Sequence, residues 1–124
     1  MKYLLDTNIC IWLATDSKRI TKDLARILNN GELYTSVTTI WEIGIKESIG
    51  KIKLKKSIIE YLENLGIKFL DVNKHHADYV KNLPYIHKDP FDRIIIAQAK
   101  VDNMKIITSD EVFTQYSKNV ILVE

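Results

Sequence analysis

Cysteine, proline and glycine are all scarce in this sequence. Cys10 is the only cysteine in 124 residues, which excludes an internal disulfide and a cysteine-based zinc centre. Its ordinary reading is a small buried hydrophobe in a helix. Two prolines and four glycines are too few for a collagen-like or linker-rich chain. No apolar run approaches the ~20 residues of a membrane span. The opening "MKYLLDTN" lacks the apolar segment and small-residue cleavage site of a signal peptide. With 46% hydrophobic and 27% charged residues, the chain predicts one folded domain over residues 1–124, in the cytoplasm.

What is present alternates between short apolar runs and longer amphipathic ones. Strands are predicted over 2–5, 33–36, 67–70, 105–108 and 120–123. Helices are predicted over 8–14, 21–29, 38–49, 57–65, 74–83 and 90–101. Mostly apolar strands separated by helices predict an α/β fold. It would be a three-layer α/β/α arrangement around a central, mainly parallel sheet of about five short strands. In such sheets ligands bind beyond the carboxyl ends of the strands, near the point where strand order reverses.

Four carboxylates are placed for that edge, and each has an ordinary structural reading as well. Asp6 ends the first strand, where it would cap the next helix. Glu42 lies in "TTIWEIGIK", a helix apolar on nearly every side, where Lys46 offers it an i,i+4 partner. A helix so apolar is expected to be buried, and a buried acid needs a strong partner such as a cation. Asp92 falls in the first turn of the helix that Pro90 begins, above Ile96 and Ala99. There the helix dipole favours negative charge, and Asp89 is the expected N-cap. Asp110 follows the strand "KIIT" as a cap or turn residue, a role for which Ser109 competes. Brought together, such carboxylates repel by ~4 kcal/mol per pair at 4 Å and an effective dielectric near 20. Hard divalent ions with oxygen ligands, Mg²⁺ or Mn²⁺, would offset that repulsion and suit phosphodiester hydrolysis.

"LLDTN", "WEIGIK", "KDPFDRIIIAQA" and "TSD", in this order across essentially the whole chain, resemble the PIN-domain ribonucleases. More narrowly, they are similar to VapC-type toxins of bacterial toxin–antitoxin pairs. The resemblance implies an endoribonuclease that uses Mg²⁺, or Mn²⁺ in its place, with one or two ions per site. It assigns the catalytic and metal-binding quartet to Asp6, Glu42, Asp92 and Asp110. Asn8, Ser36 and Thr108 match polar positions that support such a site, and Glu111 stands beside Asp110 as a substitute or assistant. The products implied are a 5′-phosphate and a 3′-hydroxyl. The implied partners are an RNA substrate, a VapB-like antitoxin that covers the site, and a second copy of the chain within a larger toxin–antitoxin assembly.

The remaining signals are weaker. Once the four site acids are set aside, twelve acids face eighteen Lys and Arg, a basic surround suited to an RNA backbone. Lys46, Lys51, Lys53 and Arg93 are candidate RNA or antitoxin contacts, although "GKIKLKK" also reads as a solvated loop. His75, His76 and His87 lack zinc-site spacing and read as surface histidines. Trp12 and Trp41 lie in apolar helices, which favours the core or a dimer interface over base stacking. An alternative of another class is a receiver-like, Mg²⁺-binding signalling module without nuclease activity. Its phosphoacceptor would be Asp71.

Overall fold

A computed structural model describes residues 1–123. Five strands form one sheet: β1 (Lys2–Leu5), β2 (Glu32–Ser36), β3 (Lys68–Leu70), β4 (Lys105–Thr108) and β5 (Val120–Leu122). Every ladder is parallel and the order is β3-β2-β1-β4-β5. The expected mainly parallel sheet is therefore wholly parallel among the described residues.

Adjacent side chains on a strand point to opposite faces, and the core divides accordingly. Leu4 and Ile106 pack on one face with Ile95, Ile96, Ala99 and Phe113. Leu5 and Ile107 pack on the other with Ile9, Leu24, Ile43, Ile58 and Leu62. The first face is covered by α5 (Lys74–Tyr79) and α6 (Pro90–Val101). The second is covered by α1 (Thr7–Thr15), α2 (Lys22–Asn30), α3 (Val37–Ser48) and α4 (Ile58–Asn64). Both faces of the sheet are dry, which explains why the strands read as continuous apolar runs.

Sequence-local chemistry sets the helix ends. Thr21, Ser36, Ser57, Asn73 and Asp89 each accept a backbone N–H at the start of their helix. Gly50 and Gly66 adopt positive φ just beyond α3 and α4, the conformation glycine takes at least cost. The helix expected over 74–83 is α-helical only to Tyr79 and continues as a 3₁₀ turn over Val80–Asn82.

Two expectations about burial are corrected here. Helix α3 buries only Thr39 and Ile43. Trp41 is 65% exposed and Ile49 61% exposed, so Trp41 is not a core residue. It meets Phe91 edge-on at 5.1 Å. The all-round apolar pattern had implied burial, but one side of the helix is uncovered among the described residues. The second correction is His76, which is fully buried. Its Nδ1 accepts the Asn73 backbone N–H at 3.1 Å and its Nε2 reaches Asp102 at 3.0 Å. It completes the cap of α5 and lies away from the surface.

Candidate active site at the carboxyl edge of the sheet

Strand β1 pairs with β2 on one side and β4 on the other. Strand order reverses there, so the carboxyl ends of β1 and β4 flank the switch-point crevice. Asp6 stands at the end of β1, 2% exposed. One carboxylate oxygen accepts the Thr7 backbone N–H at 2.6 Å, as the cap of α1. The other accepts the Thr108 hydroxyl at 2.7 Å. Thr108 ends β4 and also accepts the Asp110 backbone N–H at 3.0 Å. One hydroxyl thus ties the first acid to the loop that carries the fourth.

Asp92 sits at the third position of α6, where Asp89 accepts the N–H groups of Phe91 and Asp92. Glu42 approaches from α3. Its Oε2 pairs with Lys46 at 3.2 Å, while its Oε1 is buried without a hydrogen-bond partner. A buried carboxylate oxygen left unsatisfied is costly, and a cation would satisfy it.

Electrostatics connect the three. Burial pushes the Asp6 carboxyl up to about 7, and the charges of Asp92 and Glu42 add to that rise. The Thr108 and Thr7 hydrogen bonds oppose it. Burial likewise raises Asp92 to about 6. Hydrogen bonding from His87 opposes the rise, and the charges of Asp89 and Glu42 reinforce it. Carboxyls that resist ionisation when crowded are the donor set a divalent ion stabilises. Asp110 caps the 3₁₀ turn Glu111–Gln115 through Val112. Even so, it keeps a carboxylate oxygen within 4.8 Å of ligand atoms on His87 and Asp92.

The supporting candidates fall in different places. Thr108 touches Asp6, as described. Ser36 is fully buried, and its hydroxyl accepts from the backbone N–H and hydroxyl of Thr38. Asn8 is exposed on the first turn of α1 and hydrogen-bonds to none of the acids. Glu111 is exposed. Lys51 and Lys53 are exposed on the loop before α4. Lys46 is engaged by Glu42.

Arg93, a candidate nucleic-acid or antitoxin contact, is engaged within the chain itself. Its guanidinium donates to the carbonyls of Pro84, His87, Val80 and Leu83 and to the Tyr116 hydroxyl. Five acceptors fasten the loop before α6, because a planar fork of donors can satisfy several carbonyls at once. Asp71 follows β3, an edge strand separated from β1 by β2, and is exposed. A receiver domain would place its phosphoacceptor beside β1, in the order 2-1-3-4-5. This sheet does not.

Several residues at the site carried no readable signal. Thr7 and Thr39 join hydroxyls at 3.0 Å, and Thr35 reaches Thr39 at 3.2 Å. This buried chain of hydroxyls lies beneath Asp6, with Cys10 contacting Thr35. His87, read as a surface residue, places its Nε2 2.6 Å from Asp92. Its only sequence cue was its position two residues before the cap of α6.

The family model described as PIN domain matches residues 3–119, and the chain belongs to the PIN-domain family. Among solved structures it is similar to a chain of VapBC2 from Rickettsia felis bound to a promoter DNA fragment. The TM-score there is 0.71 at 21% identity, covering 98% of this chain and 97% of that one. It is also similar to a chain of VapBC-1 from nontypeable Haemophilus influenzae, with a TM-score of 0.65 at 28% identity over 93% and 91% of the two chains. A toxin–antitoxin complex from Klebsiella pneumoniae gives a TM-score of 0.68 at 18% identity over 96% and 95%. No curated protein sequence matches the chain. The family read from the motifs is the one these comparisons return.

Proposed function

We propose that this chain is the VapC-type toxin of a toxin–antitoxin pair, a divalent-metal-dependent endoribonuclease. The observation that carries the reading is the acidic crevice at the sheet's switch point. There Asp6 and Asp92 resist ionisation and Glu42 keeps an orphaned, buried oxygen. Asp6, Glu42, Asp92 and Asp110 would hold Mg²⁺ or Mn²⁺, one or two ions per site. Such an ion supplies neutralisation of the phosphate charge and acidification of a water.

The chain's own residues have separate tasks. Asp6 is held rigid by Thr7 and Thr108. Asp92 rides on a capped helix end, so its carboxylate does not drift with a loop. Lys46 restrains Glu42 on one oxygen and leaves the other facing inward. The basic surround draws the RNA backbone to an otherwise repulsive pocket. The proposed partners are RNA, a VapB-like antitoxin and a second copy of the chain. That copy would cover the open side of α3, where Trp41, Ile45, Phe91 and Ile94 line an apolar groove of about 600 Å³.

The test is cleavage of a labelled small-RNA pool by purified, antitoxin-free protein in Mg²⁺, Mn²⁺ or EDTA, beside Asp6→Asn and Asp92→Asn. Discrete cuts that need metal and vanish in both variants are expected. Cleavage that persists in EDTA would overturn the reading, as would equal cleavage by the variants.

A further inference from the structure

His87, like His76, departs from its reading as a surface histidine. Its side chain is 25% exposed, and its Nε2 lies 2.6 Å from Asp92 Oδ2. Nε2, an Asp92 oxygen and an Asp110 oxygen all lie within 4.8 Å of one another. These donors come from three segments: the loop before α6, the first turn of α6 and the end of β4. Ion–ligand bonds of about 2.0–2.2 Å place two ligand atoms at most about 4.4 Å apart. Adjacent ligands on one ion lie about 3 Å apart, so sharing an ion needs Nε2 and the Asp92 oxygen to part slightly from 2.6 Å, with the Asp110 oxygen within 4.8 Å of both.

The backbone of His87 is also held in place. The His87 backbone N–H donates to the Tyr116 hydroxyl at 2.7 Å, and its carbonyl accepts Arg93 Nη1 at 3.3 Å. Tyr116 is buried and also accepts from Ile86 and Arg93.

We propose that the ion site of this chain includes a nitrogen ligand, His87 Nε2, beside Asp92 and Asp110. The proposal rests on the metal-dependent reading above and extends it to ion selectivity. Imidazole suits borderline transition ions, whereas an all-oxygen set suits Mg²⁺. The site therefore takes Mn²⁺, Co²⁺ or Ni²⁺ with a margin over Mg²⁺ wider than four carboxylates would give. With the ion bound, the ring carries its proton on Nδ1, and Nε2 turns its lone pair to the ion that Asp92 shares. The other two histidines do not compete. His76 is occupied by Asn73 and Asp102, and His75 is exposed on α5.

Mn²⁺ is the probe, added to untagged full-length protein at pH 7.5 and read by electron spin-echo envelope modulation. A directly bonded ¹⁴N in the wild type, lost in His87→Gln and His87→Asp, is the expected result. Calorimetry supplies a second measurement. His87→Asp should narrow the Ni²⁺-over-Mg²⁺ affinity ratio by about tenfold or more, in line with what ligand environments contribute. Because the spectrum of the wild type needs no variant to fold, it decides by itself. Mn²⁺ bound through oxygen alone, displaced in Asp6→Asn, would overturn the histidine ligand and leave the metal reading standing. Absence of any bound Mn²⁺ in the wild type would remove both.

Discussion

Asp6 spends both oxygens on hydrogen bonds and still holds its proton to about pH 7. Burial outweighs the two donors. A carboxyl raised in the folded state binds its proton more tightly there than in the unfolded chain, where the value is 3.8. The contribution to stability is therefore complete below about pH 4 and is lost progressively as pH rises from there to about 7. Without divalent ions, unfolding free energy should fall between pH 5 and pH 8. Asp6 accounts for about 2–3 kcal/mol of that fall, at 1.36 kcal/mol per unit. Asp6→Asn should flatten the slope and stabilise the ion-free protein at pH 8, while lowering cleavage at least about 10²-fold, a barrier cost near 3 kcal/mol. Urea titrations at both pH values, with and without Mn²⁺, measure this. A wild-type stability that rises with pH over this range would contradict it. At this scale the acids were legible because acid spacing after strands is a sequence property. Thr35, Thr39 and Tyr116 were not, since a buried hydroxyl chain or hub exists only after the fold assembles it.

Helix α6 was legible to the residue. Asp89 as cap, Pro90 at the first helical position and an apolar stripe beneath Asp92 fix its start without tertiary help. Its function as a platform follows from that cap. Asp89→Ala should cost ~1 kcal/mol of stability and lower cleavage further than the stability loss explains, because the first turn that carries Asp92 frays. Denaturation and single-turnover cleavage compared in one variant check it. Unchanged cleavage with reduced stability would separate the cap from the site. The fastening of the loop before α6 by Arg93 was not legible, for an identifiable reason. Sequence shows a cation beside an acid, but the five acceptors come from the loop and Tyr116. Arg93→Ala should destabilise the protein by ~2–3 kcal/mol, the range for charged hydrogen bonds left unmade. Wild-type stability with weakened RNA binding would restore the contact role. Helix α3 was misread in another way. Periodicity reports which faces are apolar, and cannot say whether the cover comes from the same chain.

For the whole molecule, the sheet order brings the ends of β1 and β4 together and leaves β3 and Asp71 at the edge. That order places an acidic crevice in a basic molecule, and it leaves one apolar face of α3 uncovered beside the crevice. Trp41, Ile45 and Ile49 are exposed there at 65%, 42% and 61%. Phe91 and Ile94 of α6 line the same groove, so the face spans the two helices that carry Glu42 and Asp92. Exposed apolar side chains are ordinary singly, but contiguous ones across two elements mark an interface. A second copy packed on this face would stiffen both helices and hold Glu42 and Asp92 in register. Trp41→Asp places a charge at the centre of that contact and should shift a dimer to monomer in sedimentation velocity at micromolar concentration. Removing an aromatic anchor from an interface costs ≥ ~2 kcal/mol, about 30-fold in dissociation constant. Cleavage by the variant should become concentration-dependent over the same range, recovering as protein is added. A wild-type chain that sediments as a monomer at high concentration and cleaves fully would assign this face to the antitoxin instead.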